Sequence, residues 1–206
     1  MKVLSIFVFF YAYIFSSLAQ TTITNSESTA GITFSFPWVN NYTYLDHEYK
    51  TSRNKSGFFG LGIAAYYKKN HHKVSLNFGY TEALDSPFGV INYSKEGTRM
   101  NISAGCGELI YHRPVYKNLN AIAGLNITSY RYEFADYDDN SPWYRKIDNT
   151  LGASLGLEYR FNKFLSAATI YRPTIASFET DDIYRHLLSL DIRIDLDIKV
   201  KKVSAH

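Results

Sequence analysis

Ser177, Glu179 and His186 fall within one short stretch of the chain. A serine, a histidine and a carboxylate are the parts of an acyl-transfer site, provided the histidine reaches the serine hydroxyl and the carboxylate orients the histidine. With six histidines in the chain and abundant Ser and Asp, such a trio is easy to assemble by accident. No H-E-x-x-H, C-x-x-C, G-x-S-x-G or phosphate-binding glycine loop accompanies it. The stretch "FADYDDNSPWYRKID" offers a second chemistry, because Asp136, Asp138, Asp139 and Asp148 invite a calcium reading. It lacks the glycine and the distal glutamate that complete a helix-loop-helix calcium site. A solvated external loop is the plainer expectation, with Tyr137, Trp143 and Tyr144 available to recognise another surface molecule. The sequence therefore assigns no catalytic, cofactor-binding or metal-binding residue, and the expectation is a protein that is not an enzyme and needs no cofactor.

A third group is distributed along the chain. In "RHLLSLDIRIDLDIKV", Leu188, Leu190, Ile192, Ile194, Leu196 and Ile198 alternate with Ser189, Asp191, Arg193, Asp195 and Asp197. Period 2 marks a strand with one apolar and one polar face. Glu158, Arg160 and Arg172 occupy polar positions of the same kind. If the apolar face meets lipid, these charges look into an interior and must pair there, since a buried charge is tolerable only when paired and hydrogen-bonded. A solid polar core is the simpler reading, and an ion or proton path along the charges is the alternative. The same parity points Glu108 and His112 outward with Ile102 and Cys106. Glutamate at a lipid midplane is costly, so Glu108 is expected near the rim at the turn end, or past a bulge.

Eight strand-like segments carry these positions: about 31–38, 58–68, 73–82, 99–111, 119–133, 150–161, 164–173 and 184–199. Ile32, Phe34, Phe36 and Trp38 share one face of the first. In the sixth, Leu151, Ala153, Leu155, Leu157 and Tyr159 oppose Gly152, Ser154, Gly156, Glu158 and Arg160. The links alternate between long ("VNNYTYLDHEYKTSRNKS", "ALDSPFGVINYSKEGT", "ADYDDNSPWYRKIDN") and short (around "KNHH", "RPVYKN" and Asn162-Lys163). Short turns at one end and long loops at the other are the habit of membrane barrels. The strands are also longer than the five or six residues usual in soluble sheets. The fold class that follows is all-β, an eight-stranded antiparallel up-and-down transmembrane β-barrel over residues 20–206. Closure is required, because an open edge in lipid strands its N–H and C=O groups. Turns near Asn70, Lys117 and Asn162 are expected to be periplasmic, and loops near Lys50, Ser86 and Asp139 external. Aromatics near the strand ends, among them Tyr42, Tyr66, Tyr130, Tyr132, Tyr159 and Phe164, are expected to form two girdles at the headgroup level.

The first residues, "MKVLSIFVFFYAYIFSSLAQ", place Lys2 before an apolar run, with Ser17 and Ala19 at the two positions a signal peptidase reads; residues 1–19 are expected to be a cleaved secretory signal. Its loss lowers a formal charge of +3 by Lys2 alone, too even a balance to suggest nucleic acid as a partner. One cysteine, Cys106, excludes an internal disulfide framework. Asn-x-Ser/Thr at Asn41, Asn54, Asn92, Asn101 and Asn126 is weak evidence in a chain of this composition.

The stretches "LGASLGLEYRFNKFLSAATIYRP" and "LLSLDIRIDLDIKV" give the chain, from Ile32 to Ile198, a resemblance to small eight-stranded outer-membrane β-barrel proteins of Gram-negative bacteria. It is most similar to the outer membrane beta-barrel domain family of Bacteroidota: a glycine-rich strand ends in Tyr-Arg-Phe, turns on Asn-Lys and descends. The resemblance implies a place in the outer membrane, outer-membrane lipids as neighbours and a possible envelope protein partner. Many members end the last strand on an aromatic residue, whereas here Val200 is followed by "KKVSAH". This departure leaves room for membership of a larger envelope assembly. The functions weighed are a structural or surface-interaction role through the external loops, an accessory role in envelope transport or secretion, and a lipid-modifying enzyme.

Overall fold

Alternation along the chain becomes a closed sheet. The computed structural model describes residues 28–46, 51–69, 72–83, 98–136, 144–178 and 185–199. These form β1 (Ser28–Asp46), β2 (Thr51–Gly57), β3 (Phe59–Lys69), β4 (His72–Glu82), β5 (Thr98–Tyr116), β6 (Leu119–Asp136), β7 (Tyr144–Arg160), β8 (Leu165–Ser177) and β9 (His186–Lys199). Each pairs antiparallel with its neighbour, and β1 pairs back onto β9 from Thr29↔Lys199 to Thr43↔His186. β2 lies along the far half of β1 (Asn40↔Gly57) and β3 along the near half (Ser35↔Gly62). They are one stave interrupted at Phe58, so nine strand segments make an eight-stranded barrel. The expected signal peptide, residues 1–19, lies outside the described residues, as do the link around Asn70–His71 and the tips near Ser86 and Asp139.

Outward positions carry the apolar alternation. Leu61, Ile63, Val74, Leu76, Phe78, Leu125, Ile127, Leu157 and every second residue from Leu188 to Ile198 are exposed. Such a face is stable only against hydrocarbon, and the backbone groups beneath it are satisfied by the closed ladder. Inward positions are polar on most staves: Ser75, Asn77, Asn126, Thr128, Ser154, Glu158, Arg172, Asp191, Arg193 and Asp195 are buried.

Several expectations need correction. The first strand does not stop at residue 38; β1 continues to Asp46, and β2 occupies most of what reads as a long loop. β7 likewise begins at Tyr144 rather than 150, and β5 runs on to Tyr116. The extensions of β1, β2 and β7 rise beyond the apolar belt, where the outward face can be polar, so their period-2 contrast vanishes from the sequence. The face assignment of β5 is inverted. Ile102, Ala104, Glu108, Ile110 and His112 are buried in the lumen, and Leu109 is exposed outside. No bulge rescues the expected parity, since β4–β5 register is unbroken from Lys73↔His112 to Glu82↔Ser103. The outward positions Gly105 and Gly107 are merely small, and a Cβ on Gly107 would stand 3.7 Å from the Phe78 ring, which shields the strand from its neighbour's side.

The turns at the short-link end are tight. Tyr116 pairs with Leu119 across Lys117-Asn118, and Lys117 has φ of 41°, a left-handed backbone that glycine or asparagine adopts more cheaply. At the next turn Asn162 Oδ1 accepts hydrogen bonds from Phe164 N and Leu165 N at 2.8 and 2.9 Å, so the side chain itself shapes the bend.

Candidate functional site

The lumen holds the concentration of chemistry. At the turn end, Lys73 Nζ donates to both oxygens of Asp195 at 2.9 and 2.8 Å, and Thr33 Oγ1 donates to Asp195 Oδ1 at 2.5 Å. Arg160 approaches the same carboxylate at 3.3 Å. The Tyr66 hydroxyl donates to Asp197. One level deeper, Glu158 is ringed by His112 Nδ1 at 3.2 Å, Asn120 Nδ2 at 3.0 Å and Ser166 Oγ at 3.2 Å. Six elements converge on these two carboxylates, which stitches the barrel wall across its own axis.

In the middle, Arg172 grips Glu108 through Nε at 2.7 Å and Nη2 at 3.2 Å, while its Nη1 donates to Ser189 at 2.6 Å. Ser154 adds a 2.6 Å hydrogen bond to Glu108 Oε1. A two-point arginine clamp of this kind fixes orientation as well as charge. Asp191 lies 3.4 Å from Arg193 and 4.0 Å from Arg172. Beside these charges Ile110, Ile122, Ala168 and Ile170 form a small apolar cluster.

Toward the long-loop end the filling changes character. Tyr42, Ala83, Ile102, Ala104, Tyr130, Tyr132 and Leu187 pack into one buried cluster. The Tyr42 hydroxyl donates to Thr81 at 2.6 Å, and Tyr130 stacks on Tyr132 with centroids 6.4 Å apart. Above them Arg185 lies 5.6 Å from the Tyr132 ring and 2.7 Å from Asp148. Tyr42, Tyr66, Tyr130 and Tyr132 are therefore lumen filling and not members of a girdle. Exposed aromatics at the turn end, Tyr67, Tyr116, Tyr159, Phe161 and Phe164, do stand outside at the border of the apolar belt.

The charges expected inside, Glu158, Arg160, Arg172, Asp191, Arg193 and Asp195, all face the lumen and meet one another there. Lys73 and the Glu108–Arg172 clamp complete the network. Lys73 shares its parity with Ser75 and Asn77, and an acid in the middle of a membrane strand has nowhere else to go; those two signals were present in the chain.

The enzyme trio does not assemble. His186 stands opposite Pro173, four residues before Ser177 on β8, a separation of about 13 Å along the strand. His186 packs against the Tyr171 ring instead, with centroids 5.3 Å apart, and Glu179 lies outside the described residues. Of the aspartates of the calcium reading, Asp148 alone has a described side chain. Asp148 points into the barrel on β7 and pairs with Arg185, while Asp138 and Asp139 lie outside the described residues. Among the described residues no three His, Cys, Asp or Glu side chains are grouped to hold a metal ion.

At the turn end a polar mouth of about 430 Å³ opens between Tyr66, Lys68, Asn118, Arg160, Asn162, Asp195 and Asp197. The interior is thus polar and open at one end and aromatic at the other.

No protein-family model matches the chain, and no curated protein matches its sequence. Solved structures do share its fold. Neisserial surface protein A is 14% identical with a TM-score of 0.51, over 81% of this chain and 97% of that one. Ail, the attachment invasion locus protein of Yersinia pestis, in complex with the heparin analogue sucrose octasulfate, is 12% identical with a TM-score of 0.53, over 82% of this chain and 99% of that one. At such identities the likeness carries architecture: this chain has the eight-stranded antiparallel transmembrane barrel fold seen in outer-membrane proteins.

Proposed function

We propose that the chain is a non-enzymatic protein of the bacterial outer membrane, a barrel with a plugged core that acts through its external loops. The observation that carries this reading is the lumen itself. Ion pairs fill its turn half and middle, a tyrosine-rich cluster capped by the Arg185–Asp148 pair fills its loop half, and eight staves leave little width beyond what those side chains take up. The charges are explained by pairing, so the polar interior serves folding rather than conduction or catalysis. The surface role is supported by the loop-end extensions of β1, β2 and β7, which carry the strands past the apolar belt. The names of the similar barrels, a surface protein and an attachment protein, agree with it.

Residues 1–19 act in this reading as a cleaved export signal, and the short turns face the periplasm. The hairpin from Leu151 to Pro173 supports placement with the Bacteroidota-type barrels. An accessory role in an envelope assembly is the second reading, favoured by the polar mouth at the turn end, which is open to a partner's side chain. Planar-bilayer recording tests the plug: the reading expects no steady large-conductance channel, and such channels contradict it. Fractionation tests the location: recovery as a soluble periplasmic species contradicts it. Co-purification in mild detergent separates the two roles, since a stoichiometric envelope partner would replace the first by the second.

A further inference from the structure

Two lysines stand directly opposite one another at the turn end. Lys68 on β3 pairs with Lys73 on β4, and the two share the inward parity of Tyr66 and Ser75. Like charges placed across a strand pair repel unless something anionic comes between them. Lys73 has its answer: its ammonium group bonds both oxygens of Asp195 and lies 4.3 Å from the centroid of the Tyr66 ring. Lys68 has none. It is half-buried in the wall of the polar mouth, and among the described residues its ammonium group makes no hydrogen bond or ion pair.

The acids of the mouth are already engaged. Asp195 receives Lys73, Thr33 and Arg160, and Asp197 takes the Tyr66 hydroxyl on one oxygen. Donors are what remain. Arg160 spends a single N–H group on Asp195, and its Nε is buried without a hydrogen-bond partner, 3.8 Å from Glu158. Asn162 uses its side-chain oxygen to shape the turn, which leaves its amide NH₂ as a donor at the rim. Asn118 lines the same opening. Donors therefore reach the mouth from β3, the β5–β6 turn, β7 and the β7–β8 turn.

We propose that the turn-end mouth binds the phosphate group of a small solute, held by Lys68, Arg160, Asn118 and Asn162. Surplus donors beside two opposed ammonium groups call for an oxyanion. Phosphate suits them better than carboxylate, because the donors converge from separate staves and a phosphate turns more acceptor oxygens toward them. The volume of about 430 Å³ also holds more than a bare ion and lies within the range of small-molecule sites. The source is a solute and not a lipid headgroup, because Tyr66 and Asp195 face the lumen, inside the wall whose outer side is apolar. This site goes beyond the surface role proposed above and depends on neither the loops nor a protein partner.

The test titrates the full chain, folded in a maltoside detergent and phosphate-free buffer, with glycerol phosphate or acetate by calorimetry. Saturable binding of one glycerol phosphate per chain is expected, at least about tenfold tighter than acetate. Lys68→Gln is expected to weaken it by about tenfold or more, since a charge-assisted hydrogen bond is lost. Lys69→Gln removes the same charge from the exposed, outward neighbour and is expected to leave binding unchanged. Asp197→Asn keeps an acceptor for Tyr66 and is expected to bind as tightly or more so. The site is overturned by no saturable binding, by acetate binding as tightly, or by equal losses in the two lysine variants. Loss of binding in Asp197→Asn with none in Lys68→Gln also overturns it. Displacement of glycerol phosphate by phosphatidylglycerol added to the micelles would assign the mouth to a lipid headgroup and overturn the solute. Should Lys68→Gln not fold, the acetate comparison and the phosphatidylglycerol competition in the wild type decide.

Discussion

The turn half and the loop half of the lumen solve one problem in two ways. Both must fill a tube too narrow for a water column. The turn half does so with paired charges, Lys73 to Asp195, His112 to Glu158 and Arg172 to Glu108, which tie distant staves together by name and geometry. The loop half does so mainly with side-chain volume, from Tyr42, Tyr130, Tyr132 and Leu187, beneath a single buried pair, Arg185 to Asp148. Charge pairs specify which stave faces which, because a slipped register would leave a buried ion alone. Apolar packing seals, because rings exclude water but tolerate small shifts. The difference teaches that charge pairs hold most of the register through the turn half and the middle, while ring packing closes the loop end beneath one further pair.

Breaking the clamp should have the largest effect. Glu108→Ala leaves the Arg172 guanidinium buried without its two-point partner, and the expected loss is about 3 to 5 kcal/mol, read as a lower urea midpoint for unfolding from vesicles. Glu108→Ala paired with Arg172→Met should recover much of it, because removing both charges removes the stranded ion. No recovery would mean that the clamp is not the source of the loss.

Truncating the plug should be nearly as severe but different in kind. Tyr132→Ala removes a ring from a packed cluster at a cost of about 3 to 5 kcal/mol by the large-to-small rule. It should also admit water from the loop end, where Glu108→Ala should not. Outside the lumen, Ile194→Arg on the apolar belt is expected to cost roughly 2 to 4 kcal/mol near the bilayer midplane, with Asn77→Ser, an inward position, mild by comparison. Equal tolerance at these two sites would contradict the assignment of faces.

The smallest expected effect has the opposite sign. Lys117→Gly relieves a left-handed lysine, which favours the native turn by about 1 to 2 kcal/mol before the added freedom of the unfolded glycine takes some of it back. A net gain of a few tenths of a kcal/mol in the same urea assay is the expected outcome.

Most of the barrel was legible where the outer face is apolar and the inner face polar. Leu61 against Gly62, Leu157 against Glu158 and Ile194 against Arg193 each declare their sides. Legibility failed wherever one of the two faces departed from that contrast. On β5 the inward residues Ile102, Ala104 and Ile110 are apolar because they plug and pad the lumen, and the outward Gly105 and Gly107 are small, so hydrophobicity alone points the strand backwards. Glu108 was the discordant residue that marked the error. In the extensions of β1 and β7, both faces leave the apolar belt, and Asp148 therefore read as loop although it is buried beside Arg185. The lumen charges were visible one by one, but their partners depend on stave order and tilt, which period 2 does not encode.

The contrast between an open end and a sealed end has a direct measurement. In a Cys106→Ala background, Asp197→Cys and Leu187→Cys place thiols on β9 at the polar mouth and in the ring cluster, where Leu187 is 0% exposed. The folded barrel in vesicles is treated with a small membrane-impermeant maleimide admitted to both sides. The account predicts rapid labelling at 197 and none at 187 until the barrel is unfolded. Labelling of 187 as fast as 197 in the folded barrel would mean a continuous aqueous lumen, and the sealed core would have to be abandoned.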